Sequence, residues 1–182
     1  DSVVYDTFTA TIYGVPEVLR NVVAYKIGTR FPNRYIVVGG HQDAVPGSPG
    51  ADDNASGVAG TLEIARILAD VETYLTFVFI AFDGEEQGLH GSYHYADSAG
   101  ARGDTIEYML NMDMIAHYEN SNLAKLYSGP DLTYTTLWQQ LADSLVGITG
   151  VFEGVVNNSD HAGFVDNGYR ATLAHESIFS TV

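Results

Sequence analysis

Five short polar segments of the sequence carry residues whose types and spacing could do chemistry. Each sets a histidine or carboxylates among small residues: GGHQDAV at 39–45, GADDNASG at 50–57, FDGEEQGLHGS at 82–92, NMDM at 111–114 and SDHAGF at 159–164. Singly, each segment also fits a helix cap or a solvated loop, where Asp, Asn and Ser are common. Together they supply His41, His161 and several carboxylates, which is a ligand set for a divalent metal ion.

The adjacent glutamates Glu85 and Glu86 are the most informative pair. Like charges directly after an apolar strand are costly unless something compensates them. One glutamate on a metal ion and its neighbour acting as a proton shuttle would explain the pair. His41 offers an imidazole after another apolar strand, and Asp43 could orient that ring. The sequence contains no cysteine, so the ligands must be nitrogen and oxygen, which suits zinc foremost.

The hydrophobic pattern predicts the elements that position these segments. Apolar runs at 35–39, 75–82 and 108–112 predict buried strands, and apolar residues three or four apart predict helices over 55–69 and 132–146. Three of the polar segments follow strands, and open α/β sheets bind ligands at the carboxyl ends of their strands. The alternation of strands and helices predicts an α/β fold, a three-layer sandwich with a mixed, mostly parallel central sheet.

The first part of the chain has a different pattern. Strands are predicted at 3–13 and 21–27 and turns at 14–17 and 31–34, so the opening strands should be antiparallel neighbours at one edge of the sheet. No repeat or linker interrupts the pattern, and residues 1–182 are expected to form a single catalytic domain.

The composition excludes several function classes. The 23 acidic residues outnumber the 8 basic ones and give a net charge of −15, a field that repels nucleic acid and anionic membranes. No apolar run approaches the ~20 residues that span a bilayer. The chain begins at Asp1 without a signal segment, so we expect a processed product. This composition is compatible with an extracellular or periplasmic location.

The order and the residues of the five segments resemble those of the M28 family of zinc aminopeptidases, of the small secreted bacterial type. The similarity runs from about residue 21 to residue 176. It implies a dinuclear zinc exopeptidase that cleaves N-terminal residues from a peptide. By this resemblance His41 and Asp113 would bind one zinc ion, Glu86 and His161 the other, and Asp53 would bridge the two.

The resemblance also implies the catalytic roles. A water molecule bridging the two ions would attack the peptide bond, with Glu85 as general base and then general acid. Asp43 would not bind a zinc ion itself but would contact His41 and hold its ring in position. The peptide bond between Asp53 and Asn54 is expected to be cis.

Two other functions stay open. The M20 carboxypeptidases and deacylases of the same clan share a His-x-Asp-x-Val-Pro signature, which His41, Asp43, Val45 and Pro46 match. A two-metal carboxypeptidase is therefore an alternative. A catalytically inactive M28-fold domain used for binding or assembly is the other, although all the ligands and Glu85 are present.

The chain is short for the family and is expected to lack outer helices at one or both termini. Apolar faces left uncovered would be covered by a second copy of the chain or by a segment outside it. The remaining histidines match no role in the family and are expected to be structural or on the surface: His90, His94, His117 and His175.

Overall fold

The computed structural model describes residues 2–116 and 122–176. These residues form eight strands and four helices. In chain order the elements are β1 (Ser2–Ile12), β2 (Val15–Lys26), β3 (Phe31–His41), α1 (Ala55–Leu68), β4 (Leu75–Phe82), α2 (His90–Arg102), β5 (Thr105–Met112), β6 (Leu123–Ser128), α3 (Thr133–Val146), β7 (Thr149–Gly154), α4 (His161–Asp166) and β8 (Ala171–Glu176).

All eight strands join one sheet in the order β1-β2-β4-β3-β5-β8-β6-β7. Strand β3 lies parallel to β4 and β5, β5 is parallel to β8, and β6 is parallel to β7. The pairs β1–β2, β2–β4 and β6–β8 are antiparallel. The predicted mixed, mostly parallel sheet with an antiparallel edge is therefore confirmed.

Helices cover both faces of this sheet. Because successive strand residues point to opposite faces, Val37 and Val38 of β3 lie in different apolar cores. Val37 belongs to a core that includes residues of α2 and α4. Val38 belongs to a second core, against which Ile64, Ala65 and Leu68 of α1 pack. This arrangement is the three-layer sandwich that the sequence predicts.

The parallel register brings the ends of three strands together. His41, the last residue of β3, pairs with Phe82 at the end of β4, and Gly39 pairs with Asn111 of β5. The chain segments that follow these strands consequently begin at one edge of the sheet. Four of the five polar segments meet at this edge of the sheet. The fifth, at the start of α4, joins them.

Both predicted turns near the N-terminus differ from the structure. The first contains only Tyr13 and Gly14, whose φ angles of 49° and 84° are both positive. A two-residue turn of this kind matches the twist of a hairpin, so β2 begins as early as Val15. The second predicted turn lies inside β3, where the pairing shifts register between Phe31 and Tyr35. A proline is tolerated at such an irregularity near the start of a strand.

Parts of the helix layers carry exposed apolar side chains. The outer face of α3 exposes Leu137, Leu141, Leu145 and Val146. This agrees with the expectation of uncovered apolar faces, while the segment or subunit that covers them stays a prediction. None of the described helices is both long enough and apolar enough to cross a bilayer.

Two glycines of α1 give a test of how closely this helix packs on the sheet. A Cβ atom at Gly57 would lie 2.1 Å from the backbone oxygen of Met112, whereas a Cβ at Gly60 would meet only side-chain ends of Ile115 and Met112 at 3.1 Å or more. Gly57→Ala should lower the free energy of unfolding by about 1–3 kcal/mol, the usual cost of overpacking. Gly60→Ala should cost less or even stabilise the helix, because alanine is favoured over glycine by up to ~1 kcal/mol.

Urea unfolding of the parent and both variants measures the difference. Equal destabilisation by the two substitutions would contradict the close contact between α1 and β5.

Candidate metal centre

The centre of the site is the imidazole of His41, which is 1% exposed. Its Nε2 atom lies 3.2 Å from Asp53 Oδ1, 3.4 Å from Asp113 Oδ1 and 3.9 Å from Glu85 Oε2. One nitrogen therefore faces three carboxylates that come from three different chain segments. Burial opposes a charge on this ring, but interaction with the surrounding carboxylates outweighs burial and raises the pKa of His41.

Asp43 contacts both the imidazole and the acidic loop after β4. Its backbone carbonyl accepts a hydrogen bond from Nδ1 of His41 at 3.0 Å, whereas its carboxylate oxygen is 3.6 Å from the same nitrogen. The carboxylate accepts instead from the backbone N–H groups of Glu85 and Glu86, at 3.1 and 3.2 Å. Donation from Nδ1 leaves the Nε2 lone pair available to a metal ion. Asp43 thus orients the His41 ring mainly through its backbone carbonyl, and it orients the two glutamates through its side chain.

The three polar residues before α1 have separate tasks. Asn54 is the N-cap: its side-chain oxygen accepts from the Gly57 N–H at 2.8 Å, and its amide donates to the Met112 carbonyl at 3.0 Å. Asp52 accepts from the N–H of Ala116 at 2.9 Å. Only Asp53 directs its carboxylate at His41. The peptide bond between Asp53 and Asn54 is cis, as the resemblance implies.

Asp113, directly after β5, is held by two residues that the sequence analysis did not single out. The Ser159 hydroxyl donates to Asp113 Oδ2 at 2.6 Å, and the Asn111 amide donates to the Ser159 oxygen at 2.7 Å. The other carboxylate oxygen, Oδ1, is buried, has no hydrogen-bond partner among the described residues, and faces His41. These two hydrogen bonds determine which carboxylate oxygen of Asp113 a cation would meet. Ser159 and Asn111 both lie within the polar segments quoted above, but their residue types gave no indication that they would hold Asp113.

Glu85 and Glu86 differ in environment. The two possible metal-binding groups among the described residues are His41 with Glu85 and Asp113, and His41 with Asp53 and Glu86. Burial raises the pKa of Glu85 to about 8 in the metal-free chain. Burial also raises the pKa of the more exposed Glu86, whose carboxylate accepts from the Val45 N–H at 3.0 Å. A buried carboxyl with a raised pKa is suited to taking up and returning a proton.

The structure does not bring His161 into either group. The ring is fully buried at the start of α4, and its Nε2 faces the Val156 carbonyl at 2.8 Å. Burial lowers the pKa of His161 to about 4, so the ring is neutral near pH 7. Its Nδ1 has no hydrogen-bond partner among the described residues. The resemblance placed this residue on the second metal ion, and its position outside both groups gives no support to that role.

His175 is instead the histidine that shares the cleft with His41. It lies at the end of β8, is 4% exposed, and its Nδ1 is 2.7 Å from the Glu176 carbonyl. The sequence predicted a structural or surface residue here, because local pattern does not reveal the strand order that places β8 beside β5. His94 Nε2 lies 3.1 Å from Asp6 Oδ1, and His117 lies outside the described residues.

The cleft itself is small and acidic, with a volume of about 160 Å³. Its described lining contains four carboxylates, no Lys or Arg, and apolar side chains of Met114 and Leu173. Carboxylates this close to one another repel unless a cation lies between them. An imidazole with several carboxylates, one of which has an oxygen without a hydrogen-bond partner in the described part of the chain, fits zinc.

Solved structures with a similar fold include aminopeptidases. The zinc aminopeptidase BSAP from Bacillus subtilis superposes with a TM-score of 0.77 at 29% identity, covering 87% of this chain and 40% of that one. An aminopeptidase from Aneurinibacillus sp. strain AM-1 gives a TM-score of 0.76 at 32% identity, covering 91% of this chain and 42% of that one.

Relatives by sequence include aminopeptidase YwaD of Bacillus subtilis, 34% identical over 82% of this chain, and a probable zinc metalloprotease of Pyrenophora teres f. teres, 40% identical over 56%. The chain spans only 34% and 24% of the length of these two proteins. Residues 21–180 match the family model described as peptidase family M28. This chain is therefore a member of peptidase family M28.

Proposed function

We propose that this chain carries the catalytic centre of a zinc-dependent exopeptidase that removes N-terminal residues from peptides. The observation that carries the proposal is the convergence of Asp53, Asp113 and Glu85 on Nε2 of the buried His41. The names of the aminopeptidases it resembles support the same reading. Because the chain spans about a third of one such relative, the activity of the whole protein is part of the proposal.

Two zinc ions are the proposed cofactor. His41 and Asp113 would hold the first ion, Glu86 would hold the second, and Asp53 would lie between them, where its carboxylate can serve both. When bound, zinc supplies a Lewis acid that polarises the peptide carbonyl and lowers the pKa of water towards ~7. Asp43 would keep His41 in the tautomer that can bind metal and keep both glutamates turned towards the cleft.

Glu85 would move the proton. Its carboxylate would accept a proton from the attacking water, and its Oε2 atom would return that proton to the amine that leaves. The loop backbone restrains this side chain through the contact with Asp43. The surrounding burial favours the protonated form that the second half of the cycle needs.

The lining of the cleft favours an aminopeptidase over the carboxypeptidase alternative. A carboxypeptidase must bind the terminal carboxylate of its substrate, for which Arg is the usual partner. No Arg or Lys lies among the described residues that line the cleft. Peptide is accordingly the proposed substrate, and export from the cell stays a prediction of the sequence.

Glu85→Gln tests the role of the proposed base. Glu85 is also close enough to His41 and Asp113 to be a ligand, and the substitution separates the two roles. We expect kcat on an aminoacyl substrate to fall about 10²–10⁴-fold, the contribution of general acid–base catalysis, while zinc content stays unchanged. Glu63→Gln, an exposed residue of α1 paired with Arg66, is the matched control and should leave kcat unchanged.

Metal analysis and steady-state kinetics of the two variants give the result. Activity of Glu85→Gln close to that of the parent would exclude Glu85 as the base, and loss of zinc would make it a ligand instead.

A second prediction concerns the histidines. His41→Asn should abolish tight zinc binding, because both possible metal-binding groups include His41. His161→Asn should keep the zinc stoichiometry of the parent, since His161 belongs to neither group, and should lower stability by about 1–3 kcal/mol through the lost buried hydrogen bond. Calorimetric titration of the metal-free proteins with zinc, together with thermal unfolding, measures both effects. If His161→Asn loses one ion, the role implied by the resemblance is correct and the structural reading is wrong.

A further inference from the structure

The loop that carries both glutamates runs from Asp83 to Gly91, and one side chain contacts its two ends. Asn21 of β2 is 0% exposed. Its Oδ1 atom accepts from the backbone N–H of Asp83 at 3.0 Å, and its Nδ2 atom donates to the backbone oxygen of Gly91 at 3.0 Å. A single amide therefore closes the loop where it leaves β4 and where it enters α2.

The orientation of this amide is fixed by its partners. A backbone N–H can only donate, and a backbone carbonyl and a carboxylate can only accept. The second hydrogen of Nδ2 is donated to Asp6 Oδ2 at 3.0 Å, so three of the four possible hydrogen bonds are made. Rotating the amide by 180° would break all three, which leaves one arrangement.

The surrounding contacts leave the loop little freedom at this point. A Cβ atom at Gly91 would lie 2.3 Å from Asn21 Oδ1, and a Cβ at Gly84 would lie 2.6 Å from the Leu19 side chain. The Arg20 N–H donates to Asp83 Oδ2 at 2.8 Å. Three consecutive residues of β2 thus contact the base of the loop.

Asn21 in turn is tied to the edge of the sheet. Asp6 of β1, which accepts from Asn21, is 3.1 Å from His94 Nε2 of α2 through its other oxygen. The ring of His94 stacks on Phe8 with 4.4 Å between ring centroids. The loop end, strand β2, strand β1 and helix α2 therefore meet in one partly buried polar cluster.

We infer that Asn21 is a positioning residue for Glu85, acting by clamping the two ends of the 83–91 loop against β2. Asp43 restrains the middle of the loop through the backbone N–H groups of Glu85 and Glu86, and Asn21 restrains its ends. A displacement of about 1 Å at a catalytic group can cost roughly 10²-fold in rate. The kinetic part of this inference rests on the proposed peptidase function, and the structural part does not.

Asn21→Ala removes all three hydrogen bonds. In the metal-free chain we expect backbone hydrogen exchange in peptides covering 83–91 to rise at least about tenfold, and in the metal-loaded chain kcat to fall about 10–100-fold with KM changed less than about threefold. Asn167→Ala is the matched control: the Asn167 amide also donates two hydrogen bonds, to the Asp97 carboxylate of α2 and to the Gly163 carbonyl of its own helix, and neither partner lies in the 83–91 loop. It should leave exchange at 83–91 and kcat unchanged.

Asn21→Asp separates positioning from general stability and serves if Asn21→Ala fails to fold. The new carboxylate still accepts from Asp83 but repels Asp6 and the Gly91 carbonyl. Adding Asp6→Asn restores a donor between positions 6 and 21 but none to Gly91. We expect the double variant to regain thermal stability while kcat stays low and exchange near Gly91 stays fast.

Two results would overturn the inference: unchanged exchange at 83–91 in Asn21→Ala, or recovery of kcat in step with stability in the double variant. If the parent protein shows no peptidase activity, the proposed function fails, and the exchange measurements still decide whether Asn21 clamps the loop.

Discussion

Carboxylates crowd around one buried imidazole at the edge of this sheet, and their mutual repulsion is the constraint on which the rest of the site depends. Asp53, Asp113 and Glu85 all approach Nε2 of His41 within 4 Å. Such a concentration of negative charge is unfavourable in a buried setting unless a cation compensates it. In the metal-free chain the carboxylates favour the protonated imidazole, and they therefore raise the pKa of His41 despite its burial. A metal ion that requires neutral imidazole would take over the same task.

The fold tolerates this arrangement because rigid elements hold each member in place. His41 ends a buried strand, Asp113 follows the adjacent strand, and the register between these strands fixes the distance between their ends. Other polar residues at this edge of the sheet hold the proposed metal ligands in position through hydrogen bonds. Ser159 and Asn111 fix Asp113, and Asp43 fixes both His41 and the glutamates. Catalytic sites need such support because small displacements of reacting groups are costly in rate.

The same logic extends to the edge of the sheet. The hairpin of β1 and β2 lies far in sequence from most of the proposed metal ligands, yet the Asn21 side chain reaches the loop that carries Glu85 and Glu86. The edge hairpin is therefore coupled to the catalytic loop through hydrogen bonds rather than through apolar packing alone. A polar network of this kind favours one arrangement, because rotating the Asn21 amide would leave unpaired groups at a buried position.

The sequence pattern was sufficient to predict most of the elements and the residue types that surround the proposed metal site. Its apolar runs predicted β4 to the residue and α1 to within one residue, and the positions of polar segments after strands indicated where the site would form. Local pattern failed at Pro32, which lies within a strand because the register shift accommodates it, and at Tyr13–Gly14, where the turn is tighter than its composition indicates. The tertiary structure alone decided which groups meet. It brought His175 into the cleft, left His161 outside both metal-binding groups, and assigned Ser159, Asn111 and Asn21 their contacts. Residue type limits what a side chain can bind, but strand order and register, which depend on packing across the whole chain, decide what it faces.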